Sequence, residues 1–534
     1  MSRKEERAAR RAALSPAQKE ALQARLKGGG AAIEQQTIFA AHPRQDGVVS
    51  FAQQRQWFLW QLDPDNTAYH MCGGLRLAGE LDVQALNTAL QTVLERHAAL
   101  RTTFLPDERD GVRAVIHKQA DLDIRVRDLG QTSEASLDDR IAQVCQRPFD
   151  LIKGPVWRFE LLKVAPQEHY LLVVVHHIAC DEWSVQIILN ELQTLYRAAR
   201  LGEVAQLADL LIDYADYAQW QRGWMQGQQA AQQLSWWRNE LGNEHEVIAL
   251  PVDQPRRADA QYHAAQHSFT LDAALVERLK VHAAQAGATL FMSLMTAFHA
   301  WLYRYTGQTL IRVGIPLAQR SLPETRSLVG MFVNTQIVQS RLAGSMDLNA
   351  LFERVRMAVI HAQAHQELPF DHLVEAVQPQ RQLGVHPLFQ VLFNHLRRGG
   401  QAQQDWPGLE VQRLHFAEPH AQFELAVQTL EEESGALTVS FVYAQELFHP
   451  ERVARMAEHY RTVLMALLES GTTRLDAVEM LSPLDIQLAL ECNVNRHQPP
   501  QIEPVHRLFE SQAATHPDAI AVLDQDGSLS YGEL

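Results

Sequence analysis

Two adjacent histidines and an aspartate four residues on make up the most reactive short stretch of the chain: His176-His177-Ile178-Ala179-Cys180-Asp181-Glu182-Trp183-Ser184. An apolar run precedes them and an amphipathic stretch follows, so they sit where a buried strand gives way to a helix. Successive strand side chains point to opposite faces. One histidine therefore faces a cleft and the other faces inward. That geometry weighs against joint chelation of a metal, as does the lack of an i, i+4 histidine pair on a helix. Neither a glycine-rich phosphate loop nor a GxSxG elbow is present. Asp181 reads as structural, a carboxylate in a tight turn that accepts backbone N–H groups or pairs with an arginine. The plainer account of a His-His pair is packing; the strand-end setting and the aspartate weigh against it.

The elements that position these residues alternate in type. Leu81–Arg96 has a 3.6-residue apolar period and reads as a helix, Tyr170–His177 as a buried strand, and Ser184–Ala198 as the helix behind it. Residues 219–241, with four tryptophans among glutamines, read as one bridging helical stretch. Ala288–Tyr305 reads as an apolar helix; Leu310–Leu317, Gln390–Leu396 and Leu437–Tyr443 read as strands. Strands alternating with helices indicate an α/β class. No repeat with a fixed period is visible.

The ends differ from the middle. Residues 3–27 carry eight basic and three acidic side chains, with Ser15-Pro16 as a helix start and Gly28-Gly29-Gly30 as its stop. This predicts a short basic helix and linker, either a solvated terminus or a docking element for an upstream protein. Residues 482–504 read as a turn-rich linker. From His506 a helix-then-strand pattern begins that is too short to bury a core of its own.

Over 534 residues, 46% hydrophobic and 21% charged side chains are ordinary for a globular protein. A net charge of −15 argues against nucleic-acid binding. The apolar run Leu171–Val175 is far short of the ~20 residues that span a bilayer. Four widely spaced cysteines argue against a disulfide scaffold and suit a reducing, cytoplasmic setting.

The His-His-Asp segment resembles the HHxxxDG motif of condensation domains in nonribosomal peptide synthetases, relatives of chloramphenicol acetyltransferase. Further motifs follow in the same order. Ser50-Phe51-Ala52-Gln53-Gln54-Arg55-Gln56-Trp57 resembles S-x-A-Q-x-R-x-W, and Arg96-His97-Ala98-Ala99-Leu100-Arg101-Thr102-Thr103-Phe104 resembles R-H-x-x-L-R-T-x-F. Tyr214–Gln221, Val329–Thr335, His365–Phe370 and His386–Gln390 resemble the remaining ones. The likeness covers about residues 48–485. The tail, ending Leu529-Ser530-Tyr531-Gly532-Glu533-Leu534, resembles the start of an adenylation domain.

The resemblance implies two chloramphenicol-acetyltransferase-like lobes in a V, with a central tunnel. It divides the chain into a basic appendage and linker (1–46), an N-terminal lobe (47–222), a C-terminal lobe (223–485), a linker (486–504) and the adenylation start (505–534). It implies acyl transfer from a donor carrier-protein thioester to the α-amine of an acceptor aminoacyl thioester. His177 would be the catalytic histidine, with His176, Asp181 and Arg320 supporting it and Asp181 paired to Arg320. Glu182, Trp183, Ser184 and Asn334 would line the tunnel, while Arg101 and Trp220 serve packing at least as readily as function. The domain would hold no metal or cofactor; its substrates would ride on the phosphopantetheine arms of two peptidyl carrier proteins. Its other expected partners are the downstream adenylation domain and an upstream synthetase subunit. The opening Gln53–Leu62, with Ala68-Tyr69-His70, is similar to the subtype taking a D-configured donor. An L-donor subtype, a fatty-acyl starter subtype, a non-catalytic platform and a free-standing acyltransferase are the alternatives. The chain departs from the motif at Glu182, where the family has glycine. A carboxylate there would narrow an entrance, engage the acceptor amine or turn to solvent.

Overall fold

The computed structural model describes residues 37–40 and 47–534, apart from 109–110, 121, 123, 125, 131–133, 258–261, 378–385, 398–405, 417–419, 470, 494–503 and 525–526. The expected basic helix and most of its linker lie outside these residues. Two units are present, Met1–Glu479 and Met480–Leu534.

Within the first unit, the first lobe is built around β1 (His70–Gly79), β2 (Thr102–Leu105), β3 (Arg113–Ile116), β4 (Val126–Asp128), β5 (Trp157–Ala165) and β6 (Glu168–His176). The apolar run falls in β6, where Leu171, Leu172, Val174 and Val175 are all buried. Residues apolar on both faces require a central strand, and β6 is central: β1 and β5 pair with it, both antiparallel. β4 adds parallel to β5, and β2 and β3 form a separate hairpin. Helices Val83–Arg96 and Glu182–Leu201 pack together. Their apolar stripes, Leu86, Leu90 and Val93 on one and Ile188, Leu192 and Leu195 on the other, share one core with the sheet.

The second lobe holds a six-stranded sheet from β7 (Ala264–Leu271), β8 (Leu310–Leu317), β9 (Asn334–Arg341), β10 (Val391–Arg397), β12 (Leu425–Glu431) and β13 (Leu437–Ala444), in the order β7-β13-β12-β10-β8-β9. Helix Leu290–Thr306 is buried on nearly every face and packs against Leu348–Ala364 and Pro450–Glu469. Between β10 and β12, the chain leaves this sheet. Its segment β11 (Leu409–His415) pairs antiparallel with β1, closing one edge of the first lobe. The first lobe's sheet is therefore completed by the C-terminal half.

The three expected strands of this lobe lie within a residue of β8, β10 and β13. Two expectations need correction. The 219–241 stretch is not one helix but two, Tyr214–Trp224 and Gln228–Leu241, because Gly227 takes an extended N-cap conformation between them. The segment read as linker is helical over Pro483–Asn493, where Ser482 and Asp485 cap each other's backbone N–H groups. In the second unit, helix Val505–Thr515 buries no side chain, and a hairpin joins Ile520–Asp524 to Gly527–Ser530.

The lobes of the first unit meet at a small core where Ala99, Ile212, Tyr214 and Tyr217 pack with Leu328 and Phe332. Gly330 lies against the Tyr214 ring so closely that an added Cβ would stand 1.9 Å from its Cδ2. We expect Gly330→Ala to destabilise the protein by about 1–3 kcal/mol, the cost of overpacking a filled site. Urea denaturation followed by tryptophan fluorescence measures it.

Candidate active site

The turn between β6 and the following helix carries the histidines. His176 is the last residue of β6; His177 lies just beyond it, its N–H donating to the Tyr69 carbonyl at 2.9 Å. The faces differ as alternation predicts: His176 is buried and His177 is half-buried. His177 Nδ1 stands 2.7 Å from the Cys180 carbonyl oxygen. A carbonyl only accepts, so Nδ1 carries the proton and donates, and in the neutral ring Nε2 keeps its lone pair. His176 accepts the Ile178 N–H at Nδ1, 3.1 Å away. Burial holds His176 well below the usual histidine range, and His70 and His177 add to this. Its ring therefore stays neutral and packs near His70 and Phe149.

Asp181 is fully buried and caps helix Glu182–Leu201 from an extended conformation. Its Oδ1 accepts from the Ser184 N–H (2.8 Å), the Ser184 hydroxyl (2.6 Å) and Arg320 (2.9 Å); its Oδ2 accepts the Phe332 N–H at 3.1 Å. Arg320 also donates to the carbonyls of Thr325 and Leu328, both at 2.6 Å, and lies over the Phe332 ring. Burial pulls the guanidinium down from its ordinary value, and Asp181 opposes that pull. This ion pair joins the first lobe's histidine turn to the second lobe.

The remaining expected residues divide. Ser184, expected along the tunnel, is fully buried: its hydroxyl accepts from Arg320 and the Gly330 N–H and donates to Asp181. Trp183 is half-exposed and its indole N–H donates to the Arg326 carbonyl at 3.0 Å. Glu182 does not turn freely to solvent, since its carboxylate meets Arg413 of β11 at 2.9 Å. Asn334 pins the turn before helix Phe370–Val377: its amide donates to the Gln366 and Leu368 carbonyls and accepts the Phe370 N–H. Asn334 also lines a cleft between the lobes, together with Arg55, Tyr217, Gln319 and Asp371.

Several residues of the site are given no role by the sequence. Arg55 and Asp371 face each other across the cleft at 3.7 Å. Gln319 has φ of 47°, the sole positive φ among the described non-glycine residues, and its amide donates to the Gln366 carbonyl. Ser50 and Tyr214 share a 2.8 Å hydrogen bond. Arg55, Ser50 and Tyr214 belong to motifs named above; Arg413 and Gln319 carry no local signal that marks a partner.

Removing one member of a buried ion pair strands the other. Asp181→Ala should therefore cost about 3–5 kcal/mol of stability, measured by urea denaturation, whereas an apolar replacement of both Asp181 and Arg320 should cost less. A second expectation concerns acid. His70 is pulled down to about 4, mainly by burial, so the unfolded chain takes up its proton first as pH falls. The stability this gives is complete above about pH 6.5 and is lost as pH falls toward 4, with His176 acting in the same sense. Thermal melts from about pH 7.5 to 4 should show the fall, and His70→Gln should make it shallower, with the buried His176, His299 and His386 still contributing.

Residues 44–488 match the family model described as "Condensation domain". A linear gramicidin synthase polypeptide of Brevibacillus parabrevis is 37% identical over 96% of the chain, which spans 7% of that relative's length. The crystal structure of the X-domain from teicoplanin biosynthesis is 28% identical and superposes with a TM-score of 0.76, covering 83% of this chain and 100% of that one. A four-domain nonribosomal peptide synthetase bound to AMP and glycine gives a TM-score of 0.76 at 20% identity, over 92% of this chain and 38% of that one, a likeness of fold alone. With the two-lobed α/β architecture and the motif residues in place, the chain belongs to the condensation-domain family of nonribosomal peptide synthetases.

Proposed function

We propose that this chain forms an amide bond between two carrier-bound substrates, an acyl transfer from a donor thioester to an acceptor α-amine. The observation that carries the reading is the 2.7 Å contact between His177 Nδ1 and the Cys180 carbonyl oxygen, which in the neutral ring leaves the lone pair on Nε2. The acceptor amine attacks the thioester carbonyl carbon. The C–N bond forms, the C–S bond breaks, and His177 Nε2 takes a proton from the amine and passes it to the departing thiolate. A free α-amine titrates near ~7.7, so much of it is already neutral at physiological pH. General-base help is worth ~10²–10⁴-fold, whereas orienting two tethered reactants supplies ~7–11 kcal/mol. Positioning therefore dominates, and His177 chiefly orients the amine and carries its proton.

The substrates would arrive on phosphopantetheine arms of donor and acceptor peptidyl carrier proteins in the cytoplasm. An adenylation domain would follow, beginning within 505–534, and an upstream synthetase subunit would dock through the N-terminal segment. The similarity of Gln53–Leu62 to the D-donor subtype favours a D-configured donor and an L-configured acceptor. Net charge argues against nucleic acid as a partner, and no helix among the described residues is long and apolar enough to cross a membrane. A second reading, a platform that recruits a tailoring enzyme, is favoured by the likeness to an X-domain also solved in complex with OxyB.

Mass-spectrometric condensation assays with loaded carriers separate these readings. The expected result is product from a D-terminal donor, reduced at least ~10²-fold in a folded His177→Ala protein. Product from an L-donor or a fatty-acyl donor would change the subtype and keep the chemistry. Full activity of His177→Ala would overturn the role of His177. No product from any donor, with carrier binding intact, would leave the platform.

A further inference from the structure

We infer that Glu182 and Arg413 form a clasp through which the crossover strand holds the His177 turn in register, making Glu182 a positioning residue. The inference rests on the amide-forming reading. Asp181 already caps the helix, so the cap has no need of a second carboxylate at Glu182. Glu182 instead reaches β11, where Arg413 meets it at 2.9 Å and Gln186, one turn further along the helix, at 3.1 Å. Arg413 is anchored in turn, since β11 is hydrogen-bonded along β1 with Arg413 opposite Leu75. The returning limb of the same crossover makes a second attachment: the Gln422 amide donates to the Ala68 carbonyl at 2.9 Å. The next residue, Tyr69, accepts the His177 N–H.

The crossover therefore grips both flanks of the histidine turn. On one side Glu182 directly follows Asp181; on the other Ala68 directly precedes the residue that fixes the His177 backbone. The turn is otherwise held within the first lobe by Tyr69, Val156 and Gln53, and to the second lobe by Asp181 through Arg320 and Phe332. The clasp is the charged contact that ties the turn to the sheet edge beside it, at the position where the family motif has glycine and no side chain to make one. Because Glu182 is about half exposed, the pair is open to screening by salt.

Three variants of the chain test this: Glu182→Gln, Arg413→Met and the double substitution. Two readouts are used, amide hydrogen exchange over residues 176–181 and single-turnover condensation with saturating loaded carriers. Each single variant should speed exchange and lower turnover by about two- to fivefold, the range an exposed pair supports, with the acceptor KM unchanged. The double variant should be no worse than either single. Raising salt to about 1 M should bring the wild type to the variants' values and leave the variants unmoved. Unchanged exchange in both single variants would overturn the clasp, whether or not the chain condenses substrates. Faster exchange with wild-type turnover would overturn the positioning role. A wild-type chain that makes no product would count against the amide-forming reading, while the exchange data would still decide whether the clasp exists.

Discussion

The buried pair of Asp181 and Arg320 is the constraint on which the site's arrangement depends. Both charges are out of water, so each must be satisfied by partners held in place. Asp181 is served by two N–H groups, a hydroxyl and the guanidinium. Arg320 directs further bonds to the carbonyls of Thr325 and Leu328. The requirement reaches outward from there. Phe332 must offer its N–H, Ser184 must be small and hydroxylated, and Gly330 must pass close to Tyr214 to bring its segment within reach. An apolar substitute could match the pair in stability, but it would lack the hydrogen bonds that tie the histidine turn to the second lobe.

The histidine turn uses the same logic on a smaller scale. His176 is given an environment in which only the neutral ring is tolerable, and it serves as a backbone acceptor. His177 has one nitrogen committed to a carbonyl, which leaves the other chemically available. The division of labour follows from two adjacent strand-end residues facing opposite ways. No charged group needs to stand directly behind the imidazole, because Cys180 supplies a main-chain oxygen from within the turn itself.

Much of the site can be read from the chain because it lies in contiguous motifs. The histidines, Asp181 and Asn334 each fall in a short pattern, and the Asp181–Arg320 partnership follows from the family likeness. Strands such as β8 and β13 are legible because their apolar residues face a filled interior. What escapes is long-range or conformational. Spacing does not reveal that β11 crosses to the other lobe, so the partner of Glu182 has no signature. Ser184 reads like a tunnel residue from its place after Trp183, yet the helix turns it inward toward Arg320. The break at Gly227 and the cap formed by Ser482 and Asp485 are local, and turn and capping chemistry suffices to find them.

The strand exchange between the halves bears on biosynthesis. While residues 80–408 are still being made, β1 presents one edge without its eventual neighbour, because that neighbour is β11. Ribosomes add ~5–20 residues per second, so the interval is on the order of tens of seconds. An unpaired edge of this kind can recruit other chains, and in a long polypeptide a sister domain emerging nearby would offer it similar strands. The first lobe thus cannot be finished as an independent N-terminal unit, and cutting such a protein into modules at the lobe boundary would remove a strand that the upstream piece needs.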